Sequence, residues 1–350
     1  MFTGSPGDPR QFFSHGIMTG DFGTDPDLQN LTVEARAHGW RVDHYLTRVF
    51  PNHSRVLFQK AIEQQLVLVN GLPVKASRRL RVNDRISVTL PAVPDNSLVP
   101  EDVPLEILYE DDVIAVINKP ADMVTHPSKG NFTGTLAAAV QFHFNQLSDV
   151  AGQLRPGIVH RLDRDTTGVI LIAKDNQVHH RLTRQFEQRE VHKEYRAIVR
   201  GSLPRDEDLI RTHLKVHPKA HEKMIVCPPD EKSREAVTRY QVLRRFRGYA
   251  EVRLLPETGR THQLRVHLQS LKAPCVADRL YAGHDRLSLA DLQGIPVPPG
   301  EKPLISRQGL HAFRLKIRHP VTEEWMEFEA PLPEDMKQTL AALETYRKLD

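Results

Sequence analysis

An α+β architecture is what this sequence predicts: a small N-terminal module of two helices and short hairpins, followed by a larger domain on a mainly antiparallel, partly mixed sheet. Three observations carry that expectation. First, the segments DVIAVINK, VILIAK, KEYRAIVRG, SREAVTRYQVLRRF and YAEVRLLP are alternating or β-branched, and few helical stretches separate them. A doubly wound fold would instead alternate strand and helix throughout. Second, charge is partitioned: residues 35–91 hold ten Lys and Arg against three acids, whereas residues 92–112 hold seven acids and no base. Third, PAVPDNSLVPEDVP (91–104) is rich in proline and acids, which favours an extended connector.

The bulk properties fit two domains. At 350 residues each can bury its own core. Apolar residues make up 39% and charged residues 26%, ordinary for a globular chain. No apolar run approaches the ~18–20 residues that span a bilayer. Residues 1–34 lack the basic start and continuous apolar stretch of a signal peptide. They read as a disordered leader, and the cytoplasm is the expected location. Cys227 and Cys275 stand far apart without CxxC spacing and read as ordinary thiols.

Within 35–91, Val42, Tyr45, Leu46 and Val49 recur at helical spacing, and Pro51 and Asn52 stop that helix. Ser54 is placed to cap a second helix with Leu57, Ala61 and Ile62 on its apolar face. LVLVNGLPV then reads as a hairpin with an Asn-Gly turn, and RLRVNDRISVTL as another around Asn83-Asp84. The basic block suggests a polyanion-facing surface, although a merely solvated face has the same composition.

After a linker at 92–104, the larger domain covers 105–332. DVIAVINK is its first clear strand and ends at Lys119-Pro120. A helix is expected from about Thr135 to Asn145, then a loop, the strand VILIAK, and a helix striped by Val178, Leu182 and Phe186. The strands KEYRAIVRG, SREAVTRYQVLRRF and YAEVRLLP follow. THQLRVHLQSLKA forms a helix with Leu264, His267, Leu268 and Leu271 on one face. HDRLSLADLQGIPVPPGEKP (284–303) reads as a loop insertion, LHAFRLKIRHPVTEEWMEFEAPLP as strands, and Glu334–Leu349 as a solvent-facing C-terminal helix within 333–350.

Several chemistries are excluded. No GxGxxG, Walker or GxSxG pattern is present. His213, His217 and His221 have helical ligand spacing, but Pro218 interrupts a helix there, and the flanks read as strand and hairpin. No metal site is expected. Two clusters remain, HRLDRDTTG (160–168) and ETGRTHQLRVH (257–267). An arginine that grips a carboxylate lowers its pKa, and an aspartate so held is suited to nucleophilic or base chemistry. The same residues also suit a hydrogen-bonded turn, with Thr166 and Thr167 binding backbone, so spacing alone leaves both open.

The motifs together resemble a known family. HRLDRDTTG is similar to the HRLDxxTSG signature of RluA-type pseudouridine synthases. INKPADMVTHP is similar to the NKPxGxxvHP motif, KEYRAIVRG to K-x-Y-x-a, and LLPETGRTHQLRVHL to L-x-TGRtHQiRvH; HPKAHEKMIV and LHAFRLKIRHP also fit. These six motifs run in the family's order across about 105–332, and residues 35–91 resemble an S4 RNA-binding domain.

The resemblance implies an isomerase that breaks the N1–C1′ bond of uridine, turns the uracil and rejoins it through C5, with no cofactor or metal. It assigns Asp163 as the catalytic aspartate, Arg265 as its partner, and Tyr195 as the aromatic under the uracil. From spacing alone, Arg265 reads as a surface helix residue and Tyr195 as a half-buried strand residue. Leu264 is implied to line the pocket, Arg161 to enter the gap left by a flipped base, and His160 and Lys119 to bind or shape the cleft. Base flipping costs roughly a few kcal/mol. Arg41, Ser54, Arg55, Lys60, Lys75, Arg78 and Arg79 match the S4 surface that meets RNA phosphates. The implied partner is structured RNA, above all 23S-type ribosomal RNA or ribosomal assembly intermediates, bound by a monomer; a tRNA target stays open.

Three departures stand out: Asp122 replaces a usual Gly, Thr167 the commoner Ser, and Ala277 a frequent Gly beside retained Asp278 and Tyr281. A non-catalytic ribosome-assembly factor and an aspartate-nucleophile glycosidase are the competing readings. The intact Asp163, Tyr195 and Arg265 disfavour the first. The lack of a second carboxylate better placed than Asp165 disfavours the other.

Overall fold

The computed structural model describes residues 28–50, 55–90, 98–127, 133–152 and 154–349. The chain divides into two units, residues 1–96 and 97–350. Among the described residues no helix is long and apolar enough to cross a membrane.

The first unit contains strand β1 (Leu28–Thr32), helices α1 (Val42–Val49) and α2 (Arg55–Glu63), then β2 (Val67–Val69), β3 (Leu72–Pro73) and β4 (Arg85–Thr89). Its sheet has the order β1-β4-β2-β3, with every pair antiparallel. Val42, Leu46, Phe58, Ala61, Val67, Ile86 and Val88 form the core. Both helices and the Asn-Gly hairpin fall where the pattern places them. Two expectations are corrected. Residues 28–34 are not leader: β1 pairs with β4 from Leu28↔Thr89 to Thr32↔Arg85, and Val33 is buried beneath it. Consequently RLRVNDRISVTL is not a hairpin. Asn83, at φ 65°, makes the expected turn. The Asp84 carboxylate then accepts from the Arg81 backbone N–H and the Asn70 amide, holding residues 81–84 as a turn. Residues 1–27, Ser54 and 91–97 lie outside the described residues.

The second unit contains β5 (Glu106–Glu110), β6 (Ile114–Lys119), α3 (Leu136–His143), β7 (Thr167–Ala173), α4 (Asn176–Glu187), β8 (His192–Arg200), β9 (Glu207–Val216), β10 (Met224–Cys227) and β11 (Arg234–Phe246). β12 (Tyr249–Pro256), α5 (Gln263–Ser270), α6 (Leu289–Gln293), β13 (Leu310–Arg318), β14 (Trp325–Glu329) and α7 (Glu334–Tyr346) complete it. The sheet runs β10-β9-β11-β12-β8-β13-β7-β6-β5, with β14 on β13. Its pairs are antiparallel apart from β13 and β7, which run parallel through His311↔Thr167 and Ala312↔Gly168. Side-chain caps start the helices where the sequence supplies them: Thr135 accepts from Ala138 N–H, and Asp175 from Val178 N–H.

That parallel seam sits where the Asp163 loop enters the sheet, and Gly168 makes it possible. At φ 112° its backbone passes so close to β13 that a Cβ would collide with the Ala312 carbonyl. Gly168→Ala is therefore expected to destabilise the second unit by about 3 kcal/mol. Denaturant unfolding would check it, and a loss within about 0.5 kcal/mol of zero, the usual scatter of neutral substitutions, would contradict the seam.

Three expectations about the periphery are corrected. Residues 98–104 are not a free linker: Leu98 is buried with Ile117, Leu136 and Val140, and Glu101 accepts from the Gly134 N–H. The 284–303 segment is not all loop, because Ser288 and Asp291 form a capping box that starts α6. Helix α7 is not free in solvent but docks by one face. Met336, Leu340 and Leu343, at i, i+4 and i+7, bury against Ile198, Phe246 and Tyr249. The Arg307 guanidinium also grips Asp335 in its first turn at 2.7 and 2.8 Å.

Candidate active site

Four elements bring the site together. The loop entering β7 carries Asp163, held in a turn by the Thr166 N–H donating to its carbonyl. Strand β8 presents Tyr195, helix α5 presents Leu264 and Arg265, and the segment after α5 supplies Asp278. The cleft between them has a volume of about 470 Å³ and is lined by Arg161, Asp163, Tyr195, His262, Leu264 and Arg265 among others. That is within the ~300–1,000 Å³ of small-ligand pockets.

Arg265 is the hub. Its Nε and Nη2 donate to the two Asp278 carboxylate oxygens at 2.7 and 2.8 Å, and its Nη1 donates to Asp163 Oδ2 at 3.0 Å. Asp278 is fully buried and also accepts from the Leu280 and Tyr281 N–H groups. Burial opposes the Arg265 charge, but the Asp278 and Asp163 carboxylates outweigh it and raise its pKa. The guanidinium lies 5.0 Å from the centre of the Tyr281 ring. It is thus no surface residue: Asp278 fixes its plane, and one remaining edge is aimed at Asp163.

Tyr195 packs against the core between Leu254 on β12 and Ala312 on β13. Burial first, and then the Asp163 charge, push its phenol pKa up, so the hydroxyl keeps its proton. Leu264 is both cleft wall and core, as either reading of a helix-face leucine would have it. Arg161 is exposed at the cleft rim.

Lys119 is placed differently from the expectation, whereas His160 lines the cleft as expected. Lys119 is fully buried, and its ammonium donates to the carbonyls of Pro120, Met123 and Arg164 at 2.7, 2.8 and 2.8 Å. With its three protons committed it does not face the cleft; it ties the Pro120 turn to the Asp163 loop. Burial pulls its pKa down to about 7, against the opposing pull of Asp165 and Asp163. His160 does line the cleft, but its Nε2 accepts from the Leu171 N–H and its ring stacks on Phe186 at 4.9 Å. Burial, with Lys193 nearby, lowers its pKa to about 3.

Asp278 and Tyr281, noted in sequence only as retained motif positions, gain a place in the site through Arg265; the residues missed in sequence were His262 in the site and Lys193 in the cleft wall. Lys193 was legible, since it stands two residues before Tyr195 on one strand and so shares its face. Asp278 lies 13 residues beyond Arg265, and nothing in the intervening sequence shows that the chain turns back. The two glycine departures have a common form. Asp122 and Ala277 sit at φ 56° and 54°, the left-handed region that a glycine enters without strain. Thr167 keeps a hydroxyl contact, 2.8 Å from His311 Nδ1.

In the first unit, much of the expected phosphate-facing charge is anchored internally. The buried Asp43 carboxylate accepts from Arg41, Arg55 and Gln59, clamping α1 to α2. Burial disfavours its charge, yet these donors hold its carboxyl well below the usual range. Arg78 lies 3.7 Å from Asp84, and Arg79 donates to the Gly39 carbonyl. Lys60 and Lys75 are exposed, as are Arg55, Arg78 and Arg79. Of the three histidines in the β9–β10 hairpin, His217 serves its turn, its Nδ1 accepting from the Lys219 and Ala220 N–H groups. Among the described residues no group of three or more His, Cys, Asp or Glu could hold a metal ion.

Comparison with known proteins places this geometry. Residues 113–270 match the family described as RNA pseudouridylate synthase, and residues 40–86 match the S4 domain. An uncharacterised RNA pseudouridine synthase of Chlorobaculum parvum is 42% identical over 308 residues, covering 87% of this chain and 94% of the relative. The ribosomal large subunit pseudouridine synthase D of Pasteurella multocida is 38% identical, covering 87% and 91%. Among solved structures, human RNA pseudouridylate synthase domain containing 4 superposes with a TM-score of 0.51 at 27% identity, over 68% of this chain and 93% of that one. With relatives this similar over 87% of its length, and with an S4 domain preceding the matched catalytic region, this chain belongs to the RNA pseudouridylate synthase family.

Proposed function

We propose that this isomerase converts uridines of large-subunit, 23S-type ribosomal RNA, free or in assembly intermediates, to pseudouridine in the cytoplasm, with Asp163 as the catalytic group. The observation that carries the reading is the Arg265–Asp163 contact inside a cleft floored by Tyr195. The ribosomal target is supported by relatives named for the large ribosomal subunit, including one from Neisseria meningitidis at 37% identity over 94% of this chain.

In this mechanism the target uridine leaves its stack, Arg161 fills the vacated space at the rim, and the uracil lies on the Tyr195 ring. The Asp163 carboxylate, aimed by Arg265, acts on the ribose by attack at C1′ or by a glycal-type route through C2′. The N1–C1′ bond breaks, the uracil turns, the C5–C1′ bond forms, and the C5 proton is lost while N1 gains one. No atom is gained overall, so the reaction needs no redox partner or co-substrate. The exposed bases of the S4 domain, Lys60 and Lys75 foremost, contribute phosphate contacts and hence salt-dependent affinity.

The test is tritium release from C5-labelled, unmodified RNA. Release from 23S-type rRNA or its assembly particles, and not from bulk tRNA, is expected. Release from tRNA alone would replace the ribosomal target, and release of free uracil would indicate a glycosidase.

A further inference from the structure

Beside Asp163 stands a second side chain whose orientation is built as carefully as that of Arg265. His262 occupies the position before α5 in the left-handed region, at φ 53°, yet makes no side-chain cap to the helix. Its ring lines the cleft instead. Its Nδ1 is 3.0 Å from the Tyr281 hydroxyl, and its Nε2 faces Asp163 Oδ2 at 3.9 Å. The Tyr281 hydroxyl oxygen already accepts the Met224 backbone N–H at 2.8 Å, which leaves its proton free to be donated to His262 Nδ1. The imidazole then carries its proton on Nε2, and that N–H points at a group that accepts. Burial lowers the His262 pKa, which agrees with a neutral ring. The Tyr281 ring packs edge-on against His262, 5.8 Å between centres at 85°, and its face supports the Arg265 guanidinium. One tyrosine therefore underpins both side chains that approach Asp163.

We infer, building on the pseudouridine synthase reading, that His262 is a second positioning residue for Asp163, and that the Met224–Tyr281 chain sets its tautomer. At 3.9 Å the Nε2–Oδ2 contact is not a hydrogen bond. It tightens when the uridine fills the cleft, as catalytic contacts of empty sites commonly do. Three segments distant in sequence, the start of β10, the residue before α5 and the turn at Tyr281, converge on this one function.

The experiment is steady-state tritium release from unmodified rRNA by His262→Asn, His262→Gln, Tyr281→Phe and the Asn/Phe double variant, with thermal midpoints measured alongside. Asn tolerates the left-handed backbone but does not reach Asp163. It is expected to lower kcat about 10-fold with KM unchanged. Gln, whose amide nitrogen reaches the Nε2 position, is expected to recover most of that loss. Tyr281→Phe keeps the ring under Arg265 and is expected to lower kcat about 3-fold alone, and to add nothing to His262→Asn. Unchanged kcat in His262→Asn, multiplicative losses in the double variant, or equal loss in the Gln and Asn variants would each overturn the inference. A wild type that releases no tritium from any RNA would instead sink the synthase reading beneath it.

Discussion

Asp163→Asn should release tritium from rRNA at least about 10³-fold more slowly than wild type, the scale seen when a principal catalytic side chain is removed. The substitution is nearly isosteric, and the fork from Arg265 to Asp278 does not pass through it. Folding should persist, with a thermal midpoint close to wild type. RNA affinity should also persist, because phosphate contacts elsewhere supply it. A single-turnover assay alongside an RNA-binding titration separates the two. Equal release by the variant would remove Asp163 from the chemistry, whatever its place in the cleft.

Removal of the Arg265 charge should be felt first in stability. Arg265→Met leaves the fully buried Asp278 carboxylate with only the Leu280 and Tyr281 N–H groups as partners. An uncompensated buried charge of this kind costs about 3–5 kcal/mol, which lowers the midpoint of a unit this size on the order of 10 °C. The double variant Arg265→Met/Asp278→Asn should be less destabilised than Arg265→Met alone, because the stranded charge is gone. Arg265→Lys should fall between wild type and Met in both stability and turnover, since an ammonium cannot serve Asp278 as a fork and Asp163 together. Calorimetry on the four proteins is the check. A midpoint for Arg265→Met within about 2 °C of wild type would mean that Asp278 is not the buried anchor described.

The helices and most strands of both units were legible because their signals are local. Val42, Tyr45 and Leu46 repeat at helical period, Asn-Gly turns a hairpin, and VILIAK is too short and β-branched for anything but a buried strand. Three of the errors share one cause. LQNLT, residues 98–104 and helix α7 carry weak local patterns, and each is ordered by a partner far away in sequence: β4, α3 and the β8–β12 surface.

For the site, the sequence by itself supplied candidates: the resemblance of its motifs to the family singled out Asp163, Tyr195 and Arg265, and the structure brings all three to one cleft. The residues around them were decided only by tertiary structure. Lys119, conspicuous in its motif, turned out to spend its ammonium on three carbonyls. Asp278 and Tyr281, retained motif positions with no role assigned from sequence, and Met224, which has no motif, turned out to hold Arg265 and His262 by hydrogen bonds. The physical reason is that the identity of a reactive group follows from its side-chain chemistry, which is written in one letter. Its orientation depends on hydrogen-bond partners that the sheet brings together from segments dozens of residues apart.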